Sequence, residues 1–311
     1  MEELRQWTRI LAVIAFLGGP SVTGAETETI TFVSWNLRNY LLEDHYEGER
    51  RKFSRKPEEA RAACVSVLRE LKPDILGVCE IGAEEDLVEF RDRLAEEGVD
   101  FSDSEFVRSS SDGVRHLALL SRFPIVNRES KNRLTYQIGD EPMAFRRGML
   151  DVTIQVESDY RLRVFGLHLK SKFQAAHDPD EELMRRNEAA LARERLENIL
   201  AASPKENLLV YGDFNDHPLS PVLRELRGKR GEPEYLSWLN LEAPNGTSWT
   251  YHWQANDAYS RFDYVLVSRW LSLEVRRDDS FLYEGTLRPP ASDHRPLVVR
   301  ISPKDQTRSG E

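Results

Sequence analysis

Cysteine is scarce, positive charge is outnumbered and no apolar run reaches membrane-spanning length in this 311-residue chain. Its two cysteines, Cys64 and Cys79, cannot build a thiolate metal site or a disulfide framework, and a chain of this size needs neither to hold a core. Cys64 falls on an expected helix and Cys79 inside an apolar strand, so pairing in an oxidising compartment and burial as free thiols both stay open. Lysine and arginine number 43 against 53 acidic residues, a net charge of −10. There is thus no global basic field for a polyanion, and nucleic-acid binding would have to rest on local patches or on a metal. The patterns H-E-x-x-H, G-x-x-x-x-G-K-[ST] and G-x-S-x-G do not occur, which removes the main supports for zincin, P-loop and serine-hydrolase chemistry.

At the N-terminus, Arg5 and Arg9 precede the apolar run Ile10–Leu17, and small residues follow as far as Ala25. The run is too short for the hydrocarbon layer, which needs about 20 residues, and reads as a removable secretory signal over residues 1–25. Glu2 and Glu3 depart from the usual basic start, and no cysteine follows the run to carry a lipid anchor. The expectation is a secreted or periplasmic chain with no stable membrane insertion once the signal is removed.

What the rest contains is ordinary soluble composition, 40% hydrophobic and 31% charged, with no repeat, low-complexity block or linker. It reads as one α/β (α+β) domain over residues 28–303 and a polar tail, 304–311, expected to be disordered. Ala60, Ala63, Cys64, Val67, Leu68 and Leu71 recur at helical spacing between Pro57 and Pro73. Further helices are expected at Glu84–Glu97, Asp180–Ala202 and Pro221–Arg227. Strands are expected at Thr29–Ser34, Asp74–Ile81, His116–Ile125, Met149–Val156, Leu162–Leu169, Asn207–Gly212, Phe262–Ser268 and Pro296–Ser302.

Polar residues of a functional kind stand where these strands end or begin. Asn36 follows the first, Glu80 closes ILGVC, and Asp213 and Asn215 follow LLVYG. His168 lies inside a strand, Asp263 opens FDYVLVS, and Asp293-His294 precede PLVV. Each alone has a dull explanation as a cap, a turn or a satisfied core group. Together they make a set, because strand ends in a layered sheet converge and the loops there carry sites. Hard carboxylates with amide oxygens suit Mg²⁺ or Mn²⁺, which makes Glu80 and Asp293 metal-ligand candidates. Two histidines with carboxylate neighbours suit acid/base work, with Asp263 fixing the tautomer of His294. In VYGDFNDHP, Gly212 and Pro218 shape a turn, and Asp216 and His217 are left to that turn.

The ordered series SWN, GVCEI, LLSRFPI, GLHLKS, VYGDFND, RFDYVLVS and SDHRP resembles the endonuclease/exonuclease/phosphatase superfamily, from Asn36 to Pro296. That superfamily includes DNase I-like nucleases, exonuclease III-like repair enzymes, sphingomyelinases and inositol polyphosphate 5-phosphatases. The resemblance implies a four-layer α/β/β/α sandwich, DNase I-like, and divalent-metal-dependent cleavage of a phosphoester. It places Asn36, Glu80 and Asp293 on the metal, and Asp213 on the attacking water with Asn215 as its partner on the phosphate. It places His168 on the scissile phosphate and has Asp263 orient His294. The implied ion is Mg²⁺ or Mn²⁺, and the implied substrate is a phosphodiester, nucleic acid first, acted on by a monomer. A lipid or inositol phosphate substrate is the alternative, and an inactive binding module of the same fold a third reading. No stretch reads as an exposed apolar hairpin for docking on a membrane. Trp249, Tyr251, Trp253 and Tyr259 are read as mainly structural. Asp112 is the only acidic residue near the stretch expected to support His168. For Arg146-Arg147 and for Lys170-Ser171, phosphate contact and a solvated surface pair both stay open.

Overall fold

In β1 (Ile30–Tyr40) the side chains alternate between two apolar layers. Ile30 and Phe32 enter the centre of the molecule, while Val33, Trp35 and Leu37 face the other way, the pattern of a strand covered on both sides. The computed structural model describes residues 29–42, 45–47, 50–52, 55–173, 180–285 and 291–306; the expected leader, residues 1–25, and residues 307–311 of the tail lie outside them.

One six-stranded sheet runs, edge to edge, through β11 (Phe281–Leu282), β12 (Leu297–Ile301), β1, β2 (Ile75–Ile81), β4 (His116–Ser121) and β3 (Asp103–Val107). The second runs through β9 (Ser237–Trp238), β10 (Asp263–Val267), β8 (Leu208–Asp213), β7 (Arg161–His168), β6 (Met149–Gln155) and β5 (Ile125–Arg128). Their inner faces share one core, with Phe32, Ile75 and Leu119 from the first sheet and Val152, Val164, Leu209 and Val265 from the second. Helices α1 (Glu58–Leu71) and α2 (Glu84–Glu96) cover the first sheet; α3 (Glu181–Ala202) and α4 (Pro221–Arg227) cover the second. These are the four layers of a DNase I-like α/β/β/α sandwich. Tyr211 crosses between the sheets and its hydroxyl donates to the Ala118 carbonyl at 3.0 Å. A Cβ on Gly77 would stand 2.4 Å from that ring, so the slot requires glycine.

One expectation is corrected and one open alternative is closed. The strand expected over His116–Ile125 is two strands in different sheets, because Pro124 cannot donate to a ladder and the Ser121 hydroxyl accepts from the Phe123 amide at 3.0 Å, turning the chain across. Cys64 and Cys79 are both free and buried, in different core layers.

The strand register assembles the polar set. Parallel pairing of β7 with β8 puts His168 opposite Asp213, and antiparallel pairing of β8 with β10 puts Asp213 opposite Asp263. Three of the singled-out residues therefore share one rung of the second sheet. Across the sandwich, β1 runs parallel to β2 with Asn36 opposite Cys79, and both strands shift register just beyond. Bulges of this kind re-aim side chains at sheet ends. Among the described residues, no helix is long and apolar enough to cross a membrane.

Away from that pole, Glu274 closes the one-turn helix α5 (Leu271–Glu274) and is 3% exposed. Burial pushes its carboxyl from 4.5 up to about 7, with the hydrogen bond donated by Tyr160 acting the other way. Between those values the folded chain holds a proton that the unfolded chain has released, so stability falls as pH rises through that window. Glu274→Gln keeps an acceptor for Tyr160 without the charge. It is expected to raise the urea midpoint above pH 7 and to leave it unchanged near pH 4; equal shifts at both would contradict the assignment.

Candidate functional site

Backbone strain marks the site before any side chain does. Among the described residues, six non-glycine ones adopt left-handed φ: Arg38, Asn39, Lys72, Glu80, Asn215 and Asp257. Lys72 ends α1 and Asp257 lies in a tight turn, the ordinary places for it. The other four stand together at the ends of β1, β2 and β8. Each costs on the order of 1–3 kcal/mol and is held by its surroundings. Gly212, at φ 142, precedes them on β8; a Cβ there would lie 1.8 Å from the Leu167 carbonyl oxygen, so glycine alone permits the approach that sets Asp213 beside His168.

Asp213 is the hub. Its Oδ2 accepts from Asn36 Nδ2 at 3.1 Å and faces His168 Nε2 at 3.7 Å and His294 Nε2 at 3.8 Å. Its Oδ1 accepts from the Asn215 amide at 2.9 Å, and Asn215 Nδ2 donates to the Leu169 carbonyl at 3.0 Å. His294 Nδ1 pairs with Asp263 Oδ2 at 2.7 Å, and Asp263 is held by the Thr250 hydroxyl, which accepts its backbone N–H. Glu80 accepts from the Asn39 amide at 3.0 Å through Oε2, while its Oε1 lies 3.8 Å from His168 Nε2. Asp293 lies at the rim, 3.4 Å from Arg38 Nε and 4.0 Å from His294 Nε2. All eight residues singled out from the sequence thus stand around one pocket.

The two histidines are driven to opposite states. Burial works against the His294 imidazolium, but the charge and hydrogen bond of Asp263, with Asp213 and Asp293 behind it, push the ring up to about 10. Burial, with Arg147 and Arg115 adding to it, holds His168 well below 6.5. His168 is therefore a neutral imidazole, and its Nδ1 is buried without a hydrogen-bond partner among the described residues. With Nε2 facing two carboxylates, the Nε2–H tautomer fits. Burial and then the neighbouring Asp263 push Asp213 up to about 7. Divergent tuning of neighbouring groups is the signature of an acid/base site.

The same electrostatics test the pocket against a cation. Four carboxylates converge on it, from Glu80, Asp213, Asp263 and Asp293. Hard oxygen donors gathered in this way fit a divalent cation. Asp213, Asp263 and His294 offer ligand atoms within 4.8 Å of one another. Two of those atoms are already committed to each other in the Asp263–His294 pair, and Asp213 Oδ2 accepts from Asn36 Nδ2, so the carboxylates of Glu80 and Asp293, together with Asn36 Oδ1, are the oxygen donors the site can still offer an ion.

Several residues fall elsewhere than the sequence suggested. Arg147 is not a surface group: it is 5% exposed, pairs with Asp112 at 2.6 Å and donates to the Leu169 carbonyl. Asp112 supports that arginine and Arg115, not His168. Lys170 is buried, with its ammonium on the Ser171 and Phe173 carbonyls. Asp216 pairs with Lys172 and Arg185, and His217 packs on Phe262, so both stay with the turn. The aromatic stretch is more than packing: Tyr251 lies 4.8 Å from the His294 ring, and the hairpin of Tyr251–Trp253 with Ala258–Ser260 leaves Trp253 and Tyr259 half exposed. Thr250, Arg38 and Lys56 had no role in the sequence reading, and Tyr251 only a structural one. They act through backbone bonds and ring contacts, for which no motif exists.

The sequence matches the Endonuclease/Exonuclease/phosphatase family over residues 33–294. The fold is similar to that of the human Nocturnin catalytic domain with bound sulfate anion, at TM-score 0.63 and 20% identity over 88% of this chain and 94% of that one. It is similar to truncated Caenorhabditis elegans TDP2, at 0.59 and 15% over 88% and 97%. It is also similar to Sphingomyelinase C from Streptomyces griseocarneus, at 0.58 and 14% over 88% and 100%. Among curated proteins no sequence matches.

Proposed function

The chain belongs to the endonuclease/exonuclease/phosphatase family and is a metal-dependent phosphoesterase, and from that premise we propose that it hydrolyses phosphodiester bonds of nucleic acid with Mg²⁺ or Mn²⁺ held by Glu80, Asn36 and Asp293. The observation that carries the catalytic part is Asp213, a buried carboxylate pushed up to about 7 between two histidines tuned in opposite directions. When bound, the ion supplies charge neutralisation at the phosphate and at the leaving oxygen.

The chain's own groups do the rest. Asp213 takes a proton from the attacking water, which its raised pKa near neutrality permits. His294, kept protonated by Asp263, presents Nε2–H to the anionic phosphoryl oxygens. Neutral His168 donates from Nε2 on the other side of Asp213. Asn36 and the Asn215 amide hold the Asp213 carboxylate in one orientation, which fixes where the water is drawn.

Nucleic acid as substrate is supported by the half-exposed ring of Trp253, on the same strand face as the Tyr251 ring that meets His294, since bases stack on aromatic side chains even where net charge is unfavourable. Phe173 at 76% and Leu219 at 86% exposure, on the loops that follow His168 and Asp213, favour a second reading in which the substrate is a lipid phosphodiester. In either case the protein works as a monomeric domain, 28–303, released from its leader into a secreted or periplasmic setting.

The purified protein in Mg²⁺, offered single- and double-stranded DNA, RNA and sphingomyelin vesicles, is expected to cleave nucleic acid and to stop on addition of EDTA. Cleavage confined to the vesicles would replace the first reading with the second. Cleavage unaffected by EDTA would contradict both.

A further inference from the structure

Lys56 is buried, at 5% exposure, and among the described residues its ammonium faces no carboxylate at hydrogen-bond distance. It donates instead to the Leu37 carbonyl at 2.9 Å and to the Arg38 carbonyl at 3.1 Å, while its own amide donates to the Leu41 carbonyl at 2.9 Å. An ammonium buried on neutral carbonyls alone is costly, and burial lowers its pKa, so an account of why this side chain is here is needed.

The carbonyls it holds belong to the strained turn. Arg38 and Asn39 are consecutive non-glycine residues with φ of 49° and 53°. A left-handed pair swings its carbonyls out of the ladder with β2, and they then require a donor from elsewhere. Everything the turn touches is on the metal side of the pocket. The Asn39 amide donates to Glu80 Oε2, the Arg38 amide donates to Asn36 Oδ1 at 3.0 Å, and Arg38 Nε lies 3.4 Å from Asp293 Oδ2. Glu80 is itself left-handed, so its carboxylate depends on that amide for its aim.

We propose that Lys56 is a positioning residue for the metal: its ammonium holds the Arg38–Asn39 turn in the left-handed form, and that turn aims Asn36, Glu80 and Asp293. The inference rests on the reading that these three residues hold the ion. Lys56 itself touches neither substrate nor metal, because both of its observed hydrogen bonds go to backbone carbonyls away from solvent.

Supporting groups of this kind change metal affinity by roughly 10- to 100-fold when removed. The test is a Mn²⁺ titration followed by electron paramagnetic resonance, which reads free ion and needs no turnover, on wild type, Lys56→Met, Lys56→Gln and Glu80→Gln. Lys56→Met keeps the length of the side chain and loses the donors; it is expected to weaken Mn²⁺ binding by about tenfold or more. Lys56→Gln retains a neutral donor and is expected to lie between Met and wild type. With saturating Mg²⁺, the KM for substrate of both variants is expected to stay at the wild-type value, with the loss appearing in the metal half-saturation. Thermal midpoints without metal are measured alongside. Wild-type Mn²⁺ affinity in both Lys56 variants would overturn the proposal, as would a loss no larger than the unfolded fraction accounts for. If Lys56→Met does not fold, Lys56→Gln decides by the same two outcomes. If Glu80→Gln also binds Mn²⁺ normally, the metal reading fails rather than Lys56 alone.

Discussion

His294→Ala is expected to lower kcat by roughly 10²- to 10⁴-fold, the range for removal of a positioned acid/base group. The loss has two parts. The Nε2–H that faces the phosphoryl oxygens disappears, and Asp263 and Asp213 are left as buried carboxylates with their shared counter-charge gone. Asp213 already stands at about 7, and removing a positive neighbour moves it further up. The acid limb of the remaining pH–rate profile is therefore expected to shift to higher pH than in the wild type. Asp263→Asn separates the two parts, because it keeps the ring and removes the charge that holds the proton on it. Its kcat is expected to fall nearly as far as that of His294→Ala, and the double variant to fall little further, since the pair acts as a unit. Additive losses in the double variant would contradict the coupling.

Glu80→Gln carries the second large effect. The substitution keeps the acceptor for the Asn39 amide, so the strained turn has no reason to relax, but it removes the charge from the oxygen side of the pocket. The half-saturating Mg²⁺ concentration is expected to rise by about 10- to 100-fold, with much of the rate recovered at high Mg²⁺. If activity is lost while the metal dependence stays that of the wild type, Glu80 acts on the substrate or the proton inventory instead of on the ion. A Glu80→Gln protein with unchanged rate and unchanged metal dependence would remove it from the site altogether.

The parts of this site that could be read from sequence are those that strand endings announce. Asn36, Glu80, Asp213 and Asp293-His294 each close or precede an apolar run, and runs of that kind end at one pole of a layered sheet. His168, Asp213 and Asp263 occupy one rung because of strand register, which three separate segments cannot reveal before they are paired. The left-handed backbone at Arg38 and Glu80 had no mark, since glycine is the usual sign of such a conformation and none is present there, and Asn39, of a type that tolerates it, gave only a weak one.

Where the reading stopped short, a tertiary effect overrode a local one. For Arg147 phosphate contact and a solvated surface pair both stood open, and neither foresees its burial, which Asp112 makes tolerable from a distant loop. The aromatic stretch looked like packing, and Trp249 does pack, under Arg295. The same hairpin pairs with the Asp293–Arg295 segment through His252 and Thr250, which carries Tyr251 to the His294 ring. Its neighbours in the chain give no warning of that pairing, because the partner segment lies about 40 residues further on.

The central claim is that the pocket around Asp213 is a metal-dependent phosphodiesterase centre, and one measurement meets it most directly. Hydrolysis of bis-p-nitrophenyl phosphate is followed in wild type and Asp213→Asn, each with Mg²⁺ and with EDTA. Asn keeps the size of the side chain and an acceptor for the Asn215 amide, so the fold is preserved. The expected result is hydrolysis by wild type only with Mg²⁺ and a fall of about 10³-fold or more in Asp213→Asn. A variant that matches the wild-type rate, or a wild type indifferent to EDTA, would contradict the claim.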